Sequence, residues 1–203
     1  MKRVAVFIDG YNIYHAIDDD PSCHKYKWLD FDKLSRLMIT KSDSIEKIYY
    51  FTALATWMPD KVARHKILIK ALEIKNIEIV YGEFKNKDRF CKNCHTIYKS
   101  HEEKQTDVNI AIYLFKLAVE DAFDTALIIS GDSDLIPAIK AFKSTFLNKR
   151  VGVIIPFGRN ADQLKQTCDF HQRMKRKHLD QCILPDVIDL GNGQSLKCPD
   201  NWR

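Results

Sequence analysis

Arg3-Val4-Ala5-Val6-Phe7-Ile8-Asp9-Gly10-Tyr11-Asn12 decides how the rest of the chain is read. Its apolar run is continuous rather than alternating, the pattern of a strand covered on both faces. The run then stops on a carboxylate. Ala126-Leu127-Ile128-Ile129-Ser130-Gly131-Asp132-Ser133-Asp134 repeats the design, a buried strand leading straight into aspartates. Residues 48–54, 77–81 and 151–156 are three further runs of the same kind, rich in Val, Ile, Tyr and Phe.

Helical patterns lie between these strands. Asp30 stands as a cap before helical spacing over 31–38, and Pro59 suits the first turn of a helix running toward Ile74. Thr106 is placed to cap a helix through Ala122, with Val108, Ala111, Ile112, Phe115 and Ala118 on its inner face. Another helix follows Asp132, with Pro137 near its first turn, and a last one spans 161–176. Strands alternating with helices predict an α/β domain with a mainly parallel, five-stranded sheet. Two segments resist this scheme. Residues 84–105 are polar and carry a cysteine pair, so they read as an insertion. The tail from Gly191 reads as an irregular extension. The domain is therefore drawn over 1–165, with 166–203 as a C-terminal helix and extension.

A chain of 203 residues with 45% hydrophobic content can bury one adequate core. The net charge is +5, and Lys and Arg crowd Lys2-Arg3, residues 85–89 and residues 165–177. A basic surface suits a polyanion such as nucleic acid, although solvated surface charge is the ordinary alternative. No stretch approaches the roughly 20 apolar residues of a membrane span, so no membrane partner is expected. The first apolar run is too short for a secretory leader. With six cysteines and only one pair at ligand-like spacing, the reading is a reducing, cytoplasmic compartment. There is no Walker-type loop for nucleotide hydrolysis.

Parallel α/β sheets bind ligands at the carboxyl ends of their strands. Asp9 ends the first strand, Asp132 and Asp134 follow the fourth, and Asp107 opens the helix that leads into it. If the first and fourth strands are neighbours, these carboxylates converge. Like charges that close need a cation, and an all-oxygen donor set suits Mg²⁺ or Mn²⁺. Taken singly, Asp107, Asp132 and Asp134 can equally be helix caps satisfying N–H groups.

The order Phe7-Ile8-Asp9-Gly10-Tyr11-Asn12, His101-Glu102-Glu103-Lys104-Gln105-Thr106-Asp107-Val108-Asn109, Ile129-Ser130-Gly131-Asp132-Ser133-Asp134-Leu135 resembles the NYN domain family, within the PIN-like ribonucleases, over residues 1–165. The resemblance implies a PIN-like three-layer α/β/α sandwich and a Mg²⁺- or Mn²⁺-dependent nuclease acting on RNA. By motif it implies Asp9, Asp107, Asp132 and Asp134 as the acidic set, with Asn12 and Ser130 as supporting polar residues. The acidic pattern is complete. In such a site the ion polarises the scissile phosphate and activates a water, leaving a 5′-phosphate and a 3′-hydroxyl.

Cys91-Lys92-Asn93-Cys94 is a C-x₂-C knuckle, followed by His95 and His101. Two thiolates with His101 and a fourth ligand, His95 or Cys23, would make a structural zinc site; two free thiols in a surface loop are the alternative. Lys104 and Arg159 are candidates for phosphate contacts. Tyr11, Tyr14 and Trp28 are candidates for base stacking or for the core. The reading is a metal-dependent endoribonuclease, with a non-catalytic RNA-binding adaptor of the same fold as the alternative and a homo-oligomer left open. A phosphatase of the haloacid-dehalogenase type would carry a second aspartate where Tyr11 stands.

Overall fold

The computed structural model describes residues 1–203. In chain order the elements are β1 (Arg3–Asp9), α1 (Gly10–Asp18), α2 (Phe31–Met38), β2 (Ser44–Thr52), α3 (Pro59–Ile74), β3 (Glu78–Tyr81), β4 (Glu83–Phe90) and β5 (Ile97–Lys104). They continue with α4 (Thr106–Val119), β6 (Thr125–Ile129), α5 (Ile136–Thr145), β7 (Arg150–Ile155), α6 (Asp162–Thr167), β8 (Phe170–Arg173), α7 (Arg176–Gln181), β9 (Val187–Gly191) and β10 (Gln194–Lys197). No helix is long and apolar enough to cross a membrane.

The central sheet has six strands in the order β3-β2-β1-β6-β7-β8, each paired in parallel with its neighbours. Side chains alternate across it. Val4, Val6 and Ile8 enter one core with Ile13, Leu34, Leu72 and Leu179 from α1, α2, α3 and α7. Ala5 and Phe7 enter the other with Ile110, Leu114, Ile139 and Phe142 from α4 and α5. Helices on both faces give the three-layer α/β/α sandwich and explain why the strands read as unbroken apolar runs. β1 and β6 are neighbours, with Ile8 paired to Ile129, so their carboxyl ends stand side by side.

The sixth strand corrects the single helix expected over 161–176, which is broken into α6, β8 and α7. The cause is tertiary. The Asp169 backbone N–H donates to Val151 O at 2.8 Å, and the Asp169 carboxylate accepts from Val151 N at 2.7 Å. Phe170 then lies on Gly152 so closely that a β-carbon there would stand 2.1 Å from the Phe170 ring. Edge pairing to β7 overrides local helical spacing.

Three other expectations are corrected. The insertion is an antiparallel hairpin, β4 on β5, paired from Glu83–Lys104 to Phe90–Ile97. It is mostly exposed on both faces, so no apolar alternation marks it. The tail is a second hairpin, β9 on β10, turned by Gly191, Asn192 and Gly193 at positive φ. Helix α4 begins after Gln105, at φ 76, and the Thr106 hydroxyl turns back to the Glu103 carboxylate instead of capping. Its buried face carries Ile110, Leu114, Leu117 and Ala118, while Val108 and Ile112 are exposed. That helix is apolar nearly all round, so spacing alone does not select the face.

Candidate metal centre

Asp9 is the last residue of β1 and the N-cap of α1, and only 4% of it is exposed. Its Oδ1 accepts from the Asn12 backbone N–H at 3.0 Å, and its Oδ2 accepts from the Ser130 hydroxyl at 2.8 Å. The same hydroxyl accepts from Asp132 N at 3.0 Å, and Asn12 Oδ1 accepts from Gly131 N at 2.8 Å. These bonds lace the loop after β1 to the loop after β6. Gly10 makes this possible, since a β-carbon there would meet the Tyr50 ring at 2.5 Å and Phe51 O at 2.8 Å.

Asp107, in the first turn of α4, and Asp132, which caps the short 3-10 turn after β6, reach the same point. One carboxylate oxygen from each of Asp9, Asp107 and Asp132 lies within 4.8 Å of the others, a group that can hold one divalent cation. The electrostatics fit. Burial pushes the Asp9 carboxyl up to about 6, against the pull of its Asn12 and Ser130 bonds, and the charges of Asp107 and Asp132 add to the rise. Asp107 is also pushed up to about 6, by burial and then by Asp132 and Asp134. Converging oxygens with elevated proton affinity make a donor set that a divalent cation can neutralise.

Glu103 is a fourth acid at this point, and residue type alone does not set it apart from its neighbour Glu102. Burial pushes it up to about 7, with Asp9, Asp107 and Asp132 contributing, and its Oε1 accepts from the Thr106 hydroxyl. Strand alternation along β5 was the signal that could have found it. His101 and Glu103 share one face of the strand, while Glu102 and Lys104 share the other. Lys104 accordingly pairs with Glu102 at 3.2 Å rather than with the aspartates.

Asp134 is exposed and stands outside the trio; its backbone N–H donates to Asp132 Oδ1 at 2.9 Å, and its charge reaches Asp107. Arg159 lies over Gly131, where a β-carbon would meet its own Cβ at 3.3 Å, and its guanidinium pairs with Asp19 at 3.0 Å. Arg173 joins it through Arg159 O and Asn160. Trp28 is fully buried and donates from Nε1 to Pro185 O at 2.9 Å, so it belongs to the core. Tyr11 and Tyr14 are only partly buried.

The cysteine pair sits at the tip of the β4–β5 hairpin, where His95 N donates to Cys91 O at 2.9 Å. Hydrogen bonds from Thr96 and Cys91 hold the Cys94 thiol below its usual range. His101 is elsewhere. It pairs with Asn86, four rungs down the hairpin from Phe90–Ile97, and at about 3.3 Å per residue it cannot share a zinc ion with Cys91 and Cys94. Its ring instead stacks on Trp57 at 3.6 Å. Cys23 is fully buried in the core beside Asp20.

The fold recurs in known proteins. A solved structure from Vibrio parahaemolyticus, of unknown function, superposes with a TM-score of 0.60 at 17% identity, over 86% of this chain and 94% of that one, and so shares the fold. The 6-hydroxy-3-succinoylpyridine 3-monooxygenase HspA of Pseudomonas putida is 28% identical over 98% of this chain and 75% of its own length. The family model described as NYN domain matches residues 3–174, which takes in all three aspartates, the hairpin and every strand of the central sheet, and on that match the chain belongs to the NYN domain family.

Proposed function

We propose that this chain is a divalent-metal-dependent ribonuclease, with Asp9, Asp107 and Asp132 holding Mg²⁺ or Mn²⁺. The observation that carries the reading is the convergence of those three carboxylates at the carboxyl end of a parallel sheet. Membership of the NYN family supports it. The all-oxygen donor set favours a hard cation over zinc. When bound, such an ion supplies Lewis-acid polarisation of the phosphate and lowers the pKa of water. The chain's own part is positional. Ser130 and the Asn12 N–H fix both oxygens of Asp9, and Asn12 ties down the Gly131 turn that presents Asp132. Glu103 and Asp134 extend the acidic set. Arg159 and Arg173, at the same sheet end, meet phosphates of a bound strand. The expected products carry a 5′-phosphate and a 3′-hydroxyl.

The test is cleavage of a labelled single-stranded RNA with Mn²⁺, with EDTA, and by Asp132→Asn, beside binding at fixed salt. Cleavage that needs the ion and falls by orders of magnitude in the variant, with binding retained, supports the reading. Cleavage indifferent to both sinks it. Binding of RNA without cleavage of any strand would make the chain an adaptor.

The name of the Pseudomonas relative gives a second reading, hydroxylation of a pyridine ring. What favours it is an aromatic cleft that begins at Gly10 and Tyr11, directly after Asp9, and is lined by Trp57, His65, Phe84 and His101. Conversion of a hydroxypyridine acid with O₂ and an added two-electron reductant, one oxygen atom entering the ring and the other leaving as water, in the absence of any RNA cleavage would establish it over the first.

A further inference from the structure

A cleft of about 490 Å³ opens between α1, α3 and the β4–β5 hairpin, and its Tyr11 feels the charge of Glu103 from the acidic cluster. Gly10 and Tyr11, which follow Asp9 directly, form one end of it. Its walls are aromatic. Trp57 stacks on His101 with rings 3.6 Å apart and 9° from parallel, and meets Phe84 edge-on at 4.7 Å. Tyr11 meets Phe84 at 5.3 Å and His65 at 6.3 Å, both near perpendicular, and donates its hydroxyl to Ala53 O at 3.0 Å. These rings brace one another. They are not filling a core, because the space they enclose is open.

Charge around the cleft is distributed unevenly. Lys61 and Arg64, successive cations on one turn of α3, line it with no carboxylate partner of their own, whereas Lys27 is taken up by Asp18. Inside, His65 Nε2 lies 3.2 Å from the Thr52 hydroxyl, and burial holds the ring neutral, offering polar edges rather than charge. The cleft thus combines flat aromatic walls, a few neutral polar groups and a cationic lip. On the far side of Gly131 stand Arg159 and Arg173. A polyanion lying along the carboxyl end of the sheet meets cations on both sides of the acidic cluster, and a ring-sized recess on one side only.

We propose that this cleft is a base-binding subsite, in which one nucleobase of a single-stranded RNA is unstacked and laid in the open space against the wall formed by Tyr11, Trp57 and Phe84 while Lys61 and Arg64 hold the flanking phosphate. The proposal rests on the ribonuclease reading and deepens it to a substrate class, strands with an unpaired nucleotide beside the cut. A base held in a duplex cannot enter. Stacking tolerates any base, so the subsite selects for single-strandedness before sequence.

Trp57 supplies the readout. Trp28 is fully buried, and Trp202, which also lines the cleft, is only 8% exposed, so a ligand in the cleft changes Trp57 emission most. The experiment titrates the full chain in EDTA with a single-stranded RNA of about ten nucleotides, the same strand with one abasic position scanned along it, the matching duplex, and a hydroxypyridine carboxylate. The expected result is saturable quenching by the single strand and weaker binding of the duplex. One abasic position should reduce affinity about tenfold, and Trp57→Ala should cost the intact strand a similar factor while leaving the abasic strand unaffected. Trp57→Phe, which keeps a ring, should retain binding and lose most of the signal, leaving only what Trp202 contributes; fluorescence anisotropy of labelled RNA follows both variants. Equal binding of intact, abasic and duplex RNA overturns the proposal, as does saturable quenching by the hydroxypyridine acid with none by RNA. Because EDTA removes the ion, a strand that binds through its base yet is never cut with Mn²⁺ defeats the nuclease reading alone. Cleavage that ignores the abasic position and Trp57→Ala defeats the base subsite alone.

Discussion

The Ser130 hydroxyl donates to Asp9 Oδ2 at 2.8 Å, joining residues 121 positions apart in sequence, and it is also the acceptor for Asp132 N. One oxygen therefore sets the orientation of a buried carboxylate and the path of the loop that carries its neighbour. Neither Asp9 nor Ser130 has any freedom to turn away, because both are enclosed by the ends of β1 and β6.

Ser130→Ala removes that link. Asp9 then keeps only the Asn12 bond on a buried carboxylate, and Asp132 N loses its partner. An unsatisfied buried group of this kind costs about 1–3 kcal/mol, and loss of a residue that orients a metal ligand typically weakens metal affinity or activity ~10–100-fold. Calorimetric titration with Mn²⁺ should show the weaker binding and denaturant melts the lower stability. Unchanged Mn²⁺ affinity would separate Ser130 from the site.

Stability should depend on pH in the sense opposite to that of a salt-bridged carboxylate. The folded pKa values of Asp9 and Asp107 are raised above their unfolded values near 3.8. Folding is therefore penalised as pH rises from about 4, and the penalty is complete above the folded values near 6. For Asp9, buried and shifted by roughly two units, the linkage is on the order of 3 kcal/mol. Asp124 acts the other way. Its bonds to Arg3 hold it down to about 2, so its support is present above its unfolded value and is lost as pH falls through 2. In EDTA the melting temperature should peak near pH 4–5 and decline toward 7.5. Mn²⁺ at pH 7.5 should restore it, and a flat profile unaffected by Mn²⁺ would count against a shared acidic centre.

Gly10→Ala tests the close approach beneath the site. The added methyl would lie 2.8 Å from the Phe51 carbonyl oxygen, a backbone atom that cannot swing aside. Overpacking of this sort costs about 1–3 kcal/mol, and here the displacement would pass directly to Asp9. Denaturant midpoint and Mn²⁺ affinity should fall together.

The central strands were legible in the sequence because a strand buried on both faces must be apolar throughout; Asp9, Asp132 and Asp134 were legible because they end or follow such a run, and Asp107 because it opens a helix. Phe170–Arg173 was not legible, since its strand conformation comes from β7 and from the room left at Gly152. The hairpin hid for the reverse reason: β4 and β5 are solvated on both sides and carry no pattern of burial. His101 then looked like a companion of the nearby cysteines, when pairing along β5 carries it down toward Trp57. Glu103 was obscured by its neighbours Glu102 and Lys104, which point the other way and form a surface ion pair.

Glu103→Gln separates repulsion from function. The side chain keeps its shape and an oxygen for the Thr106 hydroxyl, but the charge that Asp9, Asp107 and Asp132 resist is gone. Without metal at pH 7.5 the variant should be more stable than the wild type, by about 2–4 °C in melting temperature if the relief is ~1 kcal/mol. The gain should vanish near pH 5, where wild-type Glu103, pushed up to about 7, is already protonated. With Mn²⁺ the order should reverse, because the ion stabilises a carboxylate more than an amide, and cleavage should drop by tenfold or more. A variant equally stable at both pH values would mean that Glu103 does not share the field of the three aspartates. One that is stabilised without metal yet cleaves like wild type would leave Asp9, Asp107 and Asp132 as a sufficient set.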